Sequence, residues 1–141
     1  MELELRVATR ELQWGLDALE AALRAAGVSG ETALDLRLVA EEVLTNLAKY
    51  GHDDAAEHWA QVRLLVVPGE ATLEFTDDGR AFDPLAVRQP DLPAALAERE
   101  EGGLGLHLAL SLVDTASYAR RGGRNVLTLA KRLDPPPHGV P

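Results

Sequence analysis

Residues 41–50 read Glu41-Glu42-Val43-Leu44-Thr45-Asn46-Leu47-Ala48-Lys49-Tyr50, and two periodicities run through them. Leu36, Val39, Val43, Leu47 and Tyr50 recur at the spacing of a helix face that packs on a core. Glu42, Asn46 and Lys49 fall at i, i+4 and i+7 and so project together from another face. A carboxylate, an amide oxygen and an ammonium in one stripe suit hydroxyl or water activation, magnesium coordination and phosphate contact. A solvated helix face has the same composition, so the stripe alone leaves both readings open.

Upstream, this helix should begin within residues 29–32, where Thr32-x-x-Asp35 has capping-box spacing, and should run to Gly51. Leu12, Leu16, Leu19 and Leu23 predict an earlier helix with Thr9 as its N-cap and Gly27 as its stop. Before that, Leu3, Leu5 and Val7 alternate with Glu2, Glu4 and Arg6, the period of a short, half-buried edge strand.

Downstream, a polar link over residues 52–58 leads to two alternating segments, 62–67 and 71–75, joined by a turn at Pro68-Gly69-Glu70. They predict a hairpin. Residues 83–101 carry Pro84, Pro90 and Pro93 and the acidic residues Glu98, Glu100 and Glu101, which predicts a long functional loop with a helical turn over 94–99. Gly102-Gly103-Leu104-Gly105 then opens a third helix through Leu108, Leu112 and Val113, followed by strands over 115–119 and 125–133 hinged at Gly122-Gly123. The order is strand, two helices, two strands, loop, helix, two strands. It predicts an α+β domain over residues 1–133, a two-layer α/β sandwich whose mixed, mostly antiparallel sheet carries the helices on one face. Residues 134–141, with three consecutive prolines, are expected to form a disordered tail.

Composition narrows the function classes. The 141 residues carry 14 Lys+Arg against 23 Asp+Glu, a formal charge of −9, which would repel a phosphate backbone and argues against a nucleic-acid partner. There is no cysteine, hence no disulfide framework or thiolate metal site, and the four histidines show no zinc-binding spacing. Without a signal peptide or a long apolar run, no membrane association is expected and the cytoplasm is the expected location.

Two more polar constellations sit where structured elements meet loops. Thr76-Asp77-Asp78-Gly79-Arg80-Ala81-Phe82-Asp83-Pro84 ends the third strand; an Asp there can accept a hydrogen bond from an exocyclic amine while Gly79 lets the backbone approach a flat ring. Asp-Gly is also a common turn. Gly102-Gly103-Leu104-Gly105-Leu106 leads into a helix, where backbone N–H groups and the helix N-terminus favour an anion, although a flexible hinge has the same composition.

In this order and spacing, the three motifs resemble the ATP-binding boxes of the histidine-kinase-like ATPase superfamily, the GHKL or Bergerat fold. Glu42-x-x-x-Asn46 resembles the N box, Asp77-x-Gly79-x-Ala81 the adenine-contacting G1 box, and Gly103-x-Gly105-Leu106 the G2 box. Asp-Asp-Gly-x-x-Phe-Asp-Pro and Gly-Gly-Leu-Gly-Leu are most similar to the anti-sigma-factor serine/threonine kinases within that superfamily, and the resemblance runs from the first strand to about Leu133. It implies a site for ATP or ADP with Mg²⁺, built from Asn46, Lys49, Asp77, Gly79, Ala81, Phe82, Gly103, Leu104, Gly105 and Leu106. By the same resemblance Asn46 is the magnesium ligand, Glu42 the general base on a partner's Ser or Thr hydroxyl, and Thr128 a support for the adenine-binding Asp77. Lys49-Tyr50 instead resembles the end of the N box in sensor histidine kinases, but residues 1–30 hold no histidine for a phosphoacceptor hairpin. The second G1 glycine is replaced by Ala81, which adds a methyl group and disfavours φ > 0. Arg88 and Arg99 are candidates to reach the terminal phosphate.

The implied activity is a protein kinase in a partner-switching circuit that regulates transcription. It would phosphorylate a STAS-type anti-sigma-factor antagonist, bind a sigma factor or another regulator, and form a homodimer through the sheet. The alternative is a non-catalytic nucleotide-binding interaction module of the same fold.

Overall fold

The computed structural model describes residues 1–50, 58–86 and 103–134, with the backbone alone at 49, 50, 103 and 104. The expected link over 52–57, the loop residues 87–102 with Arg88, Arg99 and the helical turn at 94–99, and the tail from 135 lie outside the described residues. In chain order the elements are β1 (Glu2–Ala8), a 3-10 turn (Thr9–Glu11), α1 (Leu12–Ala25), α2 (Gly30–Tyr50), β2 (Trp59–Val67), β3 (Glu70–Asp77), α3 (Gly103–Leu110), β4 (Thr115–Arg121) and β5 (Arg124–Arg132).

The five strands form one sheet in the order β1-β2-β3-β5-β4, and every neighbouring pair is antiparallel. The expectation of a mixed sheet is therefore corrected: β2–β3 and β4–β5 are hairpins, and the crossovers join elements without creating a parallel pair. Gly69 (φ +85°) supports the first hairpin, while Gly122 and Gly123 (φ +56° and +78°) supply the two positive φ values that a tight turn between twisted strands needs.

Alternation along the strands sorts the sheet into two faces. Val62, Leu64 and Val66 of β2, Leu73 and Phe75 of β3, and Leu127 and Leu129 of β5 face the helices and are buried with Leu16, Leu19 and Leu23 of α1 and Leu36, Val39 and Val43 of α2. The other face carries Glu2, Glu4, Arg6, Gln61, Arg63 and Trp59, held in part by Gln61 donating to Glu4 (2.8 Å) and the Arg6 guanidinium over the Trp59 ring (4.8 Å). Close approach of α1 to β1 depends on Gly15: a Cβ there would lie 2.9 Å from Val7 Cγ2. Arg37 of α2 ties the two long helices together at their rim, donating to Asp17 (2.7 Å), Glu20 (3.1 Å) and Gln13 (3.2 Å).

The start of α1 and the cap of α2 differ from expectation, while α2 begins at Gly30, inside the expected 29–32. Thr9 enters the 3-10 turn, and α1 begins at Leu12 after Glu11 with no side-chain cap. For α2 the cap is Ser29, whose Oγ accepts from the Thr32 N–H at 3.2 Å, so Thr32 is the third helical residue and not the cap.

Leu64 is fully buried and its neighbour Leu65 is 37% exposed, because consecutive strand residues point to opposite faces. Leu64→Ala should therefore lower the unfolding free energy by about 2–5 kcal/mol. Leu65→Ala should change it by about 0.5 kcal/mol or less. Urea unfolding of the two variants checks the assignment of faces; similar losses for both would contradict it.

Candidate nucleotide-binding site

The core face of the sheet turns polar at one end. Asp77, the last residue of β3, pairs with Ala60 of β2 and with Asn125 of β5, and both Asp77 and Asn125 are buried, at 5% and 4% exposure. Asp77 Oδ1 accepts two hydrogen bonds, from the Gly79 N–H at 2.8 Å and from Asn125 Nδ2 at 3.2 Å. Its Oδ2 has no partner among the described residues. A buried acceptor left open is costly, which marks Oδ2 as the position for an incoming donor.

Asn125 carries the G1 segment as well. Its Nδ2 donates to the Arg80 carbonyl at 2.9 Å, and its Oδ1 accepts from the Phe82 N–H at 3.2 Å and from the Tyr118 hydroxyl. Arg120 Nη1 adds a bond to the Gly79 carbonyl at 2.7 Å. Residues 79–82 are thus pinned to the β4–β5 hairpin by side chains, and Phe82 is left half-buried over a hollow. Val43 and Leu47 of α2, Phe75, Leu127 and Leu106 supply apolar walls to that hollow, while Asp77, Asn46 and Asn125 supply its polar groups. A lining that is apolar with a few convergent polar groups is of the kind that takes a flat heteroaromatic ring, but the hollow itself is closed to about 20 Å³, so a ring enters only as its walls part. Ala81 is exposed, and no described non-glycine residue has a positive φ. Its backbone therefore needs no glycine.

Thr128 does not support Asp77. It pairs with Glu74 and Ser117, three residues along β5 from Asn125 and hence on the opposite face of the sheet. Asn125 occupies the supporting place. The strand's own alternation could have revealed this: Asn125, Leu127 and Leu129 share the parity of the buried face, and Val126, Thr128 and Ala130 share the other.

On α2, buried Asn46 donates from Nδ2 to the Glu42 carbonyl at 2.8 Å, which ties its amide nitrogen to its own helix. Its Oδ1 has no partner among the described residues, an open oxygen of the kind that a hard divalent cation takes. Glu42, one turn earlier, also has no hydrogen-bond or ion-pair partner among the described residues. Its carboxylate lies against Gly105 of α3: a Cβ on that glycine would stand 2.8 Å from Oε2 and 3.2 Å from Cδ. Gly103 is the first residue of α3 and Gly105 lies inside the helix, so Gly105 serves a close approach between helices. Leu106 is buried behind it. The side chains of Lys49 and Leu104 lie outside the description.

A larger hollow, about 550 Å³, lies on the open face of the sheet beside Arg6, Trp59, Thr76 and Arg124. Its size does not make it the better site. Asp77 lines both hollows, but Glu4 and Arg6 are already engaged at the larger one with Gln61 and Trp59, whereas the smaller one adds buried Asn46, whose Oδ1 has no partner among the described residues.

Gly105→Ala tests the contact between α2 and α3. The added methyl meets the far end of a flexible side chain, so the fold should survive, and alanine in a helix interior favours stability by about 0.5–1 kcal/mol over glycine. Thermal unfolding should occur at or above the parent temperature, while the Glu42 carboxyl ¹³C resonance shifts as that group is displaced. A lowered melting temperature with an unmoved resonance would contradict the packing described.

Comparison with known proteins accords with this geometry. The profile of the histidine kinase-like ATPase domain matches residues 7–131. The serine/threonine-protein kinase BtrW of Bordetella bronchiseptica is 31% identical over 107 residues, covering 76% of this chain and 75% of that protein. The serine-protein kinase RsbW of Listeria monocytogenes is 30% identical over 108 residues, covering 73% of this chain and 69% of that protein. Among solved structures, a chain of the SiaB–SiaC complex from Pseudomonas aeruginosa superposes with a TM-score of 0.54 at 22% identity, over 93% of this chain and 89% of that one, a likeness of fold. The chain belongs to the histidine kinase-like ATPase domain family and, within it, to the anti-sigma-factor serine/threonine kinases that its three motifs resemble.

Proposed function

We propose that this protein is an ATP-dependent serine/threonine protein kinase in a partner-switching circuit, acting on a STAS-type anti-sigma-factor antagonist, with a sigma factor or another regulator as a second partner. The observation that carries the reading is the α2 stripe: a Glu42 carboxylate against the α3 glycine, one turn from the amide oxygen of buried Asn46, both without a partner among the described residues. A mere binding module has no need of that carboxylate. Relatives named serine and serine/threonine-protein kinases support the same chemistry.

Each residue has a physical task. With Oδ1 saturated, Asp77 offers Oδ2 to the exocyclic amine of adenine; guanine presents a carbonyl at that position and is repelled. Val43, Leu47, Phe75, Phe82, Leu106 and Leu127 shield the ring from water. Asn46 Oδ1 would hold Mg²⁺, and one protein oxygen is enough because that ion keeps waters and takes phosphate oxygens as its other ligands. Gly103 opens α3, whose N-terminus favours phosphate, and Gly105 lets that helix approach Glu42. Bound Mg·ATP supplies the phosphoryl group to be transferred. Glu42 takes the proton of the partner's Ser or Thr hydroxyl as that oxygen forms its bond to phosphorus and ADP leaves.

Homodimerisation through the sheet belongs to the same reading: β1 is an edge strand, and the open face exposes Trp59, Leu65 and Val67. Among the described residues no helix is long and apolar enough to cross a membrane, and we assign the protein to the cytoplasm.

Asp77→Ala should weaken ADP binding by about 1.5–3 kcal/mol in calorimetric titration, and the parent should bind GTP poorly. Equal affinity for ATP and GTP would remove Asp77 from base recognition. Glu42→Gln should bind ATP as the parent does but lose on the order of 10²–10⁴-fold in phosphorylation rate of its partner, captured with ADP present and mapped for phosphoserine or phosphothreonine by mass spectrometry. A captured partner that the parent never phosphorylates would favour the non-catalytic module. Full activity in Glu42→Gln would assign the base elsewhere.

A further inference from the structure

Four contacts converge on the side-chain amide of Asn125. Its oxygen accepts from the Phe82 N–H at 3.2 Å and from the Tyr118 hydroxyl; its nitrogen donates to the Arg80 carbonyl at 2.9 Å and to Asp77 Oδ1 at 3.2 Å. Two donors on one side and two acceptors on the other allow a single orientation of the amide. Flipping it would set its oxygen against a carboxylate and a carbonyl. Tyr118 comes from the outermost strand β4 and lines the same hollow as Phe82 and Leu106. Its ring could be replaced by phenylalanine without loss of volume. The hydroxyl, whose partner is Asn125, is the part of Tyr118 that packing does not explain.

We propose that Tyr118 is a positioning residue for purine recognition, holding the Asn125 amide so that one Asp77 oxygen is saturated and the other is aimed at the base. This deepens the nucleotide reading above and rests on it. A hydroxyl donating to an amide oxygen polarises that amide, which strengthens its N–H donation to Asp77. Asp77 Oδ1 is then held from two elements, by Gly79 of its own segment and by Asn125 of β5. Once one oxygen of a rigid carboxylate is fixed, the direction of the other follows. Loosening Tyr118 loosens that direction, which harms a ligand that donates to Oδ2 and leaves unaffected one that does not.

Titration of ATP and GTP with magnesium on the parent, Tyr118→Phe, Asp77→Asn and the double variant tests this. Tyr118→Phe should weaken ATP binding about three- to tenfold and leave GTP binding unchanged, so that discrimination narrows by the same factor. In the Asp77→Asn background the same substitution should cost less than about twofold, because the residue through which it acts is already altered. A general loss of stability would instead lower both nucleotides together. Hydrogen exchange at the Phe82 amide gives a nucleotide-free readout: the oxygen that caps it is the one Tyr118 holds, so exchange should quicken in Tyr118→Phe. Unchanged ATP-over-GTP preference, or an equal cost in both backgrounds, overturns the proposal. Unchanged Phe82 exchange overturns the link from Tyr118 to Asn125. A parent with no adenine preference, alongside quickened exchange in Tyr118→Phe, overturns the nucleotide reading while the link stands.

Discussion

The register that sets Asp77 opposite Asn125 across the β3–β5 ladder is the constraint on which the site depends. It places two buried polar side chains at the end of an otherwise apolar sheet face, where Phe75↔Leu127 and Leu73↔Leu129 precede them along the same ladder. A slip of one residue would turn every one of these side chains to the open face. The apolar pairs therefore hold the register, and the polar pair inherits its position from them. Specific chemistry at one end of the sheet is a consequence of nonspecific burial along the rest.

The helix α2 divides the same labour around its circumference instead of along its length. Leu36, Val39 and Val43 are buried in the core, which fixes the rotation of the helix about its axis. That rotation leaves Glu42 against Gly105 and Asn46 against the hollow. Neither polar group is satisfied by the described residues: the Asn46 amide nitrogen is tied to its own helix, and the amide oxygen is left open. Burying open acceptors costs stability, and a fold keeps such groups where a ligand completes them.

Much of this was legible in the sequence because it depends on period and on spacing along one helix. The helical stripe, both hairpins, the strand-ending position of Asp77 and the order of elements all follow from local patterns that tertiary contacts reinforce. Thr128 was misplaced because a motif position along a strand says nothing about which face it occupies unless parity is counted, and Thr128 lies an odd number of residues from Asn125. The caps differ for a related reason: Thr9, Ser29 and Thr32 are all competent caps, and the choice depends on where the chain leaves the preceding element. The role of Gly105 was misjudged in kind. A glycine-rich entry to a helix suggested backbone freedom at an anion, yet the residue lies within α3 and what it provides is the absence of a side chain against Glu42.

Asn125 was invisible for a deeper reason. Its importance comes from contacts made across the sheet and across the chain, to Asp77, Arg80, Phe82 and Tyr118, at separations of up to 48 residues. No local pattern encodes such a convergence; an Asn one residue into a strand reads as the end of a turn. What the structure adds is that the G1 segment, which has no regular secondary structure of its own, is organised by side chains of a hairpin that follows it in sequence. The apparent looseness of that segment is thus replaced by three fixed contacts to one amide, from Asp77, Arg80 and Phe82, and a fourth from Arg120 to the Gly79 carbonyl. A segment held in this way can keep a carboxylate oriented before any ligand arrives, and preorganisation of that kind lowers the cost of binding more effectively than an additional contact would.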